Sequence, residues 1–153
     1  MDSQDKDMQI EGVRGQGRLV LQTVAMPKDA NASGDIFGGW LVSQMDLGGS
    51  VFAQQCAKNR VSTVAIDAMV FLKPVYVGDL VGCYATILKT GKSSISVKIK
   101  VFAHRMRYGV CEQVTEGTFT FVALDDAGKP KAIDWDLMLS GEKDPPGLRP
   151  APF

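Results

Sequence analysis

The carboxylate with the most unusual surroundings in this chain is Asp46. On a helix, positions three, four and seven apart share a face, which groups Asp46 with Gly39, Val42, Gly49, Ser50 and Ala53, a stripe in which only Ser50 is polar. An unpaired charge buried there costs several kcal/mol. Two readings stay open: Ser50 or a neighbouring backbone group satisfies the carboxylate, or it is a general base or nucleophile aimed into a small-residue cleft. Gly38 and Gly39, near the start of the same helix, leave backbone N–H groups unshielded by side chains, where the helix dipole favours negative charge. Such amides can hold a carbonyl oxygen as it gains charge in acyl transfer. Asp35 reads as the helix N-cap rather than as a catalyst.

Other chemistries find little support. The single histidine, His104, has no signal pairing it with a serine or cysteine nucleophile, and reads as a surface residue. Cys56, Cys83 and Cys111 are odd in number and widely spaced, so neither a disulfide framework nor a His/Cys metal site is expected, and the setting implied is reduced and cytoplasmic. There is no phosphate-binding GxxxxGK[ST] loop, and the early Gly15–Gly17 pair lacks the rest of a dinucleotide fingerprint. With 17 basic and 17 acidic residues the formal charge is zero, which argues against nucleic-acid binding driven by bulk charge. No window approaches the apolar length of a membrane span, and the N-terminus lacks the basic and apolar regions of a secretory signal. One local imbalance stands out. Between Asp79 and Glu112 the only charged residues are basic: Lys89, Lys92, Lys98, Lys100, Arg105 and Arg107.

The elements that must position these residues are legible in the pattern. The 153 residues suffice for one core. Residues 1–17 read as a mobile lead-in, 18–135 as the folded domain, and 136–153, rich in proline, as an extended or disordered tail. A first strand is predicted over 18–26, a helix over 36–58, and strands over 61–75, 80–90, 93–106 and 110–124. The strand over 93–106 alternates most clearly, with Ile95, Val97, Ile99 and Val101 on one face. One strand, one long helix and four further strands make an α+β order, with a curved antiparallel sheet wrapped around the helix. Each glycine inside a helix costs about 0.8–1.0 kcal/mol against alanine, so Gly38, Gly39, Gly48 and Gly49 imply close approach of other groups. Ser43, Ser50, Ala53 and Ala57 read the same way, as small residues that let the sheet close on the helix.

The segment PKDANASGDIFGGW from Pro27 to Trp40, continued by LVSQMD to Asp46, resembles the signature of hotdog-fold acyl-CoA thioesterases of the YciA type, related to cytosolic acyl-CoA hydrolases. The likeness continues through Arg60-Val61, the FLKPV segment at 71–75, VGD at 77–79, GKSS at 91–94 and FVALD at 121–125, and covers roughly residues 19–133. It implies a hotdog fold whose sheet continues into a second copy, with a homodimer as the minimal active unit and three dimers forming a hexamer. It further implies hydrolysis of acyl-CoA, with no metal or other cofactor. Asp46 would act as general base or nucleophile, Asn31 would position water or substrate across the dimer interface, and the amides of Gly38 and Gly39 would polarise the thioester carbonyl. Arg60, Val61, Lys92, Ser93 and Ser94 are the residues it assigns to coenzyme A. Two alternatives remain beside it: an enoyl-CoA hydratase or dehydratase on the same fold, which needs a histidine facing an acid, and a non-catalytic acyl-CoA-binding regulator.

Overall fold

Hydrophobic alternation at period two builds the sheet, and a glycine-bearing apolar stripe lays the helix across it. The structure, a computed structural model, describes residues 16–136. Its elements are β1 (Arg18–Val24), a short 3₁₀ turn (Pro27–Asp29), α1 (Gly38–Ala57), β2 (Val61–Phe71), β3 (Leu80–Thr90), β4 (Ser94–Arg105) and β5 (Val110–Ala123). The strands form one antiparallel sheet in the order β1-β3-β4-β5-β2, so β1 and β2 are its edges. Among the described residues no helix is long and apolar enough to cross a membrane. The proposed lead-in and tail lie almost entirely outside the described residues.

β4 is the spine of the core. Ile95, Val97, Ile99 and Val101 are all fully buried, as their alternation requires. Phe121 and Phe119 on β5 stand opposite Ile95 and Val97, with their rings 6.4 Å apart. The other face carries Ser96 bonded to Thr120 at 3.0 Å and Lys98 paired with Glu116 at 3.5 Å. The helix buries Leu41, Met45, Gly48, Gly49, Phe52 and Ala53 against this sheet. A Cβ on Gly49 would stand 2.5 Å from Ile99 Cδ1 and 3.0 Å from Phe121 Cζ; one on Gly48 would stand 2.9 Å from Val20 Cγ2. These two glycines are therefore where helix and sheet come closest. The expectation fails for Gly39, whose Cβ would meet nothing within 4 Å, and for Ser43, which is exposed and turns its hydroxyl back to the carbonyl of Gly39 at 3.0 Å.

The element boundaries shift for physical reasons. The helix starts at Gly38 rather than Ile36, with Phe37 as N-cap and no side-chain cap, because the two residues before it are already used. Asp35 bridges to Tyr76, Ile36 bridges to Ala30, and the Ile36 N–H donates to the Val75 carbonyl at 3.1 Å. Asp35 is thus a pairing residue, not a cap. β2 ends at Phe71 because the N–H groups of Leu72 and Lys73 both turn to the Val114 carbonyl, and Pro74 then has none to give.

Candidate functional site

Asp46 sits in the third turn of α1, half-buried, where the helix passes the edge strand β2. The Thr63 hydroxyl on that strand donates to Asp46 Oδ1 at 2.6 Å. Asp46 Oδ2 makes no hydrogen bond among the described residues. The expected partner, Ser50, is engaged elsewhere, its hydroxyl donating to the Leu47 carbonyl at 2.9 Å. The carboxylate is therefore oriented by one neutral donor and keeps its second oxygen available, the condition of a base that must accept a proton. Nothing in the sequence singles out Thr63. It is an ordinary strand residue 17 positions on, and only the return of the chain beside its helix makes it a neighbour.

At the other end of the helix, Trp40 and Leu41 direct their N–H groups to the Phe37 carbonyl at 3.1 and 3.4 Å. The amides of Gly38 and Gly39 have no acceptor among the described residues, as the first turn of a helix requires. A groove of about 340 Å³ opens there, lined by Ile36, Gly38, Leu41 and the Phe71–Val75 segment. Of the two helix-start glycines, Gly38 lines the groove and Gly39 does not. Asn31 lies in the preceding loop, where its Oδ1 accepts from the backbone N–H groups of Ser33 at 2.9 Å and Asp35 at 3.1 Å. Asn31 makes no hydrogen bond to Asp46 within the chain, and its amide nitrogen stays available.

The candidates therefore fall into two groups. Asn31, Gly38 and Gly39 stand at the Phe71 end of β2, where a Cβ on Gly38 would touch the Phe71 ring at 3.3 Å. Asp46 lies seven residues beyond Gly39, about 10 Å along the helix axis, toward the Val61 end. Arg60, Val61, Ser93 and Ser94 are also gathered at that end: Val61 pairs with Ala123, whose N–H donates to the Ser93 carbonyl at 2.8 Å, and Ser94 pairs with Val122. The Lys92 side chain is exposed beside them, while the Arg60 guanidinium donates to the Asp125 carbonyl at 2.6 Å. Val61 and Phe71 are ten residues apart on one strand, about 30 Å.

His104 is not a free surface residue. It is half-buried on the outer face of the sheet near Tyr84, Phe102 and Cys111, and pairs with Leu80 and Cys111 across the strands. Nine residues of β4 separate it from Ile95, the level of Thr63 and Asp46 in the sheet, which is about 30 Å. A histidine facing Asp46 within one chain, as a hydratase needs, is thus missing. A cavity of about 500 Å³ lies by the β4–β5 hairpin between Tyr76, Asp79, Arg105 and Tyr108, and none of the sequence candidates lines it.

Comparison with known proteins shows the family. Residues 33–109 match the thioesterase superfamily. The chain is 50% identical to the acyl-CoA thioester hydrolase YciA of Escherichia coli K12 over 121 residues, 77% of this chain and 92% of that protein. A hexameric thioesterase from Yersinia pestis shares the fold at a TM-score of 0.75 and 56% identity, over 77% of this chain and 96% of that one. An acyl-CoA hydrolase from Staphylococcus aureus, 30% identical with a TM-score of 0.70 over 74% of this chain and 68% of that one, has been crystallised as an asparagine-to-alanine variant. An aspartate-to-alanine variant of the same hydrolase carries its change fifteen residues further on, the interval between Asn31 and Asp46 here. The superfamily match, with relatives near half identical along most of their length and built on this same fold, makes the chain a member of the thioesterase superfamily.

Proposed function

We propose that this protein hydrolyses acyl-CoA thioesters to a carboxylic acid and free coenzyme A, in sites shared between two copies of the chain. The observation that carries the reading is the Asp46 carboxylate, fixed at one oxygen by Thr63 and available at the other, on the sheet's exposed edge. Asp46 takes a proton from a water molecule, which attacks the thioester carbonyl. The carbonyl oxygen gains the charge and is held by glycine amides. The C–S bond then breaks, and the thiolate, a good leaving group with an ordinary pKa of about 8.5, departs without needing a strong acid. In the alternative form the Asp46 carboxylate attacks the carbonyl carbon itself, the C–S bond breaks to release the thiolate, and water then hydrolyses the resulting mixed anhydride to the free acid and Asp46. Neither form needs a metal or redox cofactor.

The edge strand supports this sharing. Among the described residues β2 is paired on one side only, and Val64, Ile66, Val70 and Phe71 on it, with Leu47 and Val51 of α1, are exposed apolar residues. An unpaired apolar edge is a template for a second strand. A two-fold antiparallel pairing centred near Ile66 sets Thr63 of one copy against the Phe71 end of the other. Because Gly38 stands on Phe71, Gly38, Gly39 and Asn31 of the partner subunit come to Asp46, closing the gap that separates the two groups in one chain. The hexameric relatives support three such dimers as the full assembly. Coenzyme A then lies along the end of the sheet that carries Arg60, Val61, Lys92, Ser93 and Ser94. The three cysteines, all free, are in keeping with a reducing, cytoplasmic setting.

Thiol release across acyl-CoAs of increasing chain length, with Asp46→Ala beside the parent protein, tests this reading. Turnover of at least one acyl-CoA that disappears in the variant is expected. Tight binding without turnover would make the protein a sensor instead.

A further inference from the structure

We infer that Arg105 is a positioning residue for the loop that carries Asn31 and delivers the Gly38 and Gly39 amides, although it touches none of them. Arg105 closes β4, and its side chain is only 10% exposed. One guanidinium nitrogen donates to the Asp79 carboxylate. The other donates to the Pro74 carbonyl at 2.7 Å and to Glu112 at 3.3 Å, and the group lies 5.0 Å from the centre of the Tyr76 ring. Asp79 also accepts the Tyr76 N–H at 2.8 Å. Arg105 therefore grips the stretch from Pro74 to Asp79 at the Pro74 carbonyl, at the Tyr76 ring and, through Asp79, at the Tyr76 amide.

At its far end the stretch is also tied to Ala25, whose carbonyl accepts the Gly78 N–H at 2.8 Å and whose N–H donates to the Asp79 carbonyl at 3.0 Å, whereas the Pro74–Tyr76 part is held by Arg105 and the buried Val75. Between Leu72 and Asp79 only Val75 and Asp79 are buried. It is also what the Asn31 loop leans on: the Val75 carbonyl takes the Ile36 N–H at 3.1 Å, Tyr76 bridges to Asp35, and the Asp35 N–H is one of the two donors that orient the Asn31 side chain. Gly38 follows Ile36 by two residues. The chain of contacts from Arg105 to Asn31 and the helix start is continuous, and each link is a hydrogen bond, a ring contact or a short piece of backbone. A planar guanidinium serves the three acceptors at once; a lysine ammonium keeps the charge beside Asp79 without that fork. Glu112 is held below the usual carboxylate range by the hydrogen bond from Lys73, then by Arg105, so it remains charged in the cluster.

The catalytic part of this inference rests on the hydrolase reading; the positional part does not. The test compares Arg105→Lys with the parent protein in the full-length oligomer, by amide hydrogen exchange and by thiol release, with Lys98→Gln on the outer sheet face as a control. Amides in residues 31–39 should exchange at least about tenfold faster in Arg105→Lys while β4 and β5 keep their protection. The kcat should fall by about 10²-fold with KM within about threefold, as for a displaced catalytic constellation. Lys98→Gln should change neither. Unchanged exchange over 31–39, a parallel loss of protection across the whole sheet, or an unaltered kcat beside a loosened loop would each overturn the assignment. A parent protein that releases no thiol from any acyl-CoA would contradict the hydrolase reading instead, and the exchange data alone would then decide whether Arg105 holds the loop.

Discussion

The Thr63 hydroxyl stands 2.6 Å from Asp46 Oδ1 and joins the central helix to β2, the last strand of the sheet. One hydrogen bond thus aims the carboxylate and ties it to the strand on which a second subunit is proposed to dock. A hydrogen bond to a charged group contributes about 1.5–3 kcal/mol. Thr63→Val keeps the shape and removes the donor, so kcat should fall by about tenfold or more while the fold and the oligomer persist. Steady-state kinetics beside a sizing column check this. An unchanged kcat would mean that the hydroxyl has no part in holding the base.

Asp46 itself carries the proton transfer in this account. Asp46→Asn preserves size and polarity, and should lower kcat by the about 10²–10⁴-fold typical of losing a positioned acid or base. Circular dichroism should show the parent fold. Near-full activity in the folded oligomer would remove Asp46 from the mechanism.

Two helix glycines should separate packing from chemistry. Gly49→Ala puts a methyl 2.5 Å from Ile99 Cδ1 and 3.0 Å from Phe121 Cζ. Overpacking costs about 1–3 kcal/mol, against about 1 kcal/mol gained in helix propensity. A net loss of up to about 2 kcal/mol in urea unfolding is expected. Gly39→Ala meets open space, so stability should change by less than about 0.5 kcal/mol while kcat falls, because the methyl crowds an amide proposed to hold the carbonyl oxygen. A Gly39→Ala protein with full activity would argue against that role.

Burial pushes the Cys83 thiol up to about 12. In the unfolded chain the thiol ionises near its ordinary value of about 8.5, so above that pH the unfolded state loses a proton that the folded state keeps. The contribution is present in full below about pH 8.5 and is lost as the pH rises toward 12, by up to about 1.4 kcal/mol per pH unit. Urea unfolding under reducing conditions at pH 8 and pH 10 should show the decline, and Cys83→Ala should flatten it. Cys56, Cys111 and Tyr84 are also pushed up, chiefly by burial, so some slope should remain. An identical slope in Cys83→Ala would contradict the assignment.

The sheet and helix were legible because β4 alternates so cleanly and because the run from Gly38 to Ala57 is uninterrupted by proline. Asp46 was legible for the opposite reason, a charge in a stripe of small residues. Asp35 misled because a good capping residue type can equally pair in a bridge, and the partner, Tyr76, lies 41 residues away. Thr63 and Arg105 were invisible for the same cause. Their roles depend on which residues the fold brings beside them, and neither type nor spacing encodes that. His104 was misjudged because the outer face of the sheet has its own small aromatic cluster, Tyr84 against Phe102 with ring centres 5.6 Å apart, which half-buries a residue near the end of a strand.

Subunit complementation tests the shared site most directly. Asp46→Ala and Asn31→Ala chains, each inactive alone, are unfolded together, refolded as a mixture and assayed for thiol release. A mixed dimer has one site that lacks both groups and one that is intact, so random pairing should restore about a quarter of the parent activity. No recovery, in a preparation shown by mass spectrometry to contain mixed dimers, would contradict a site made of Asp46 from one chain and Asn31 from its partner.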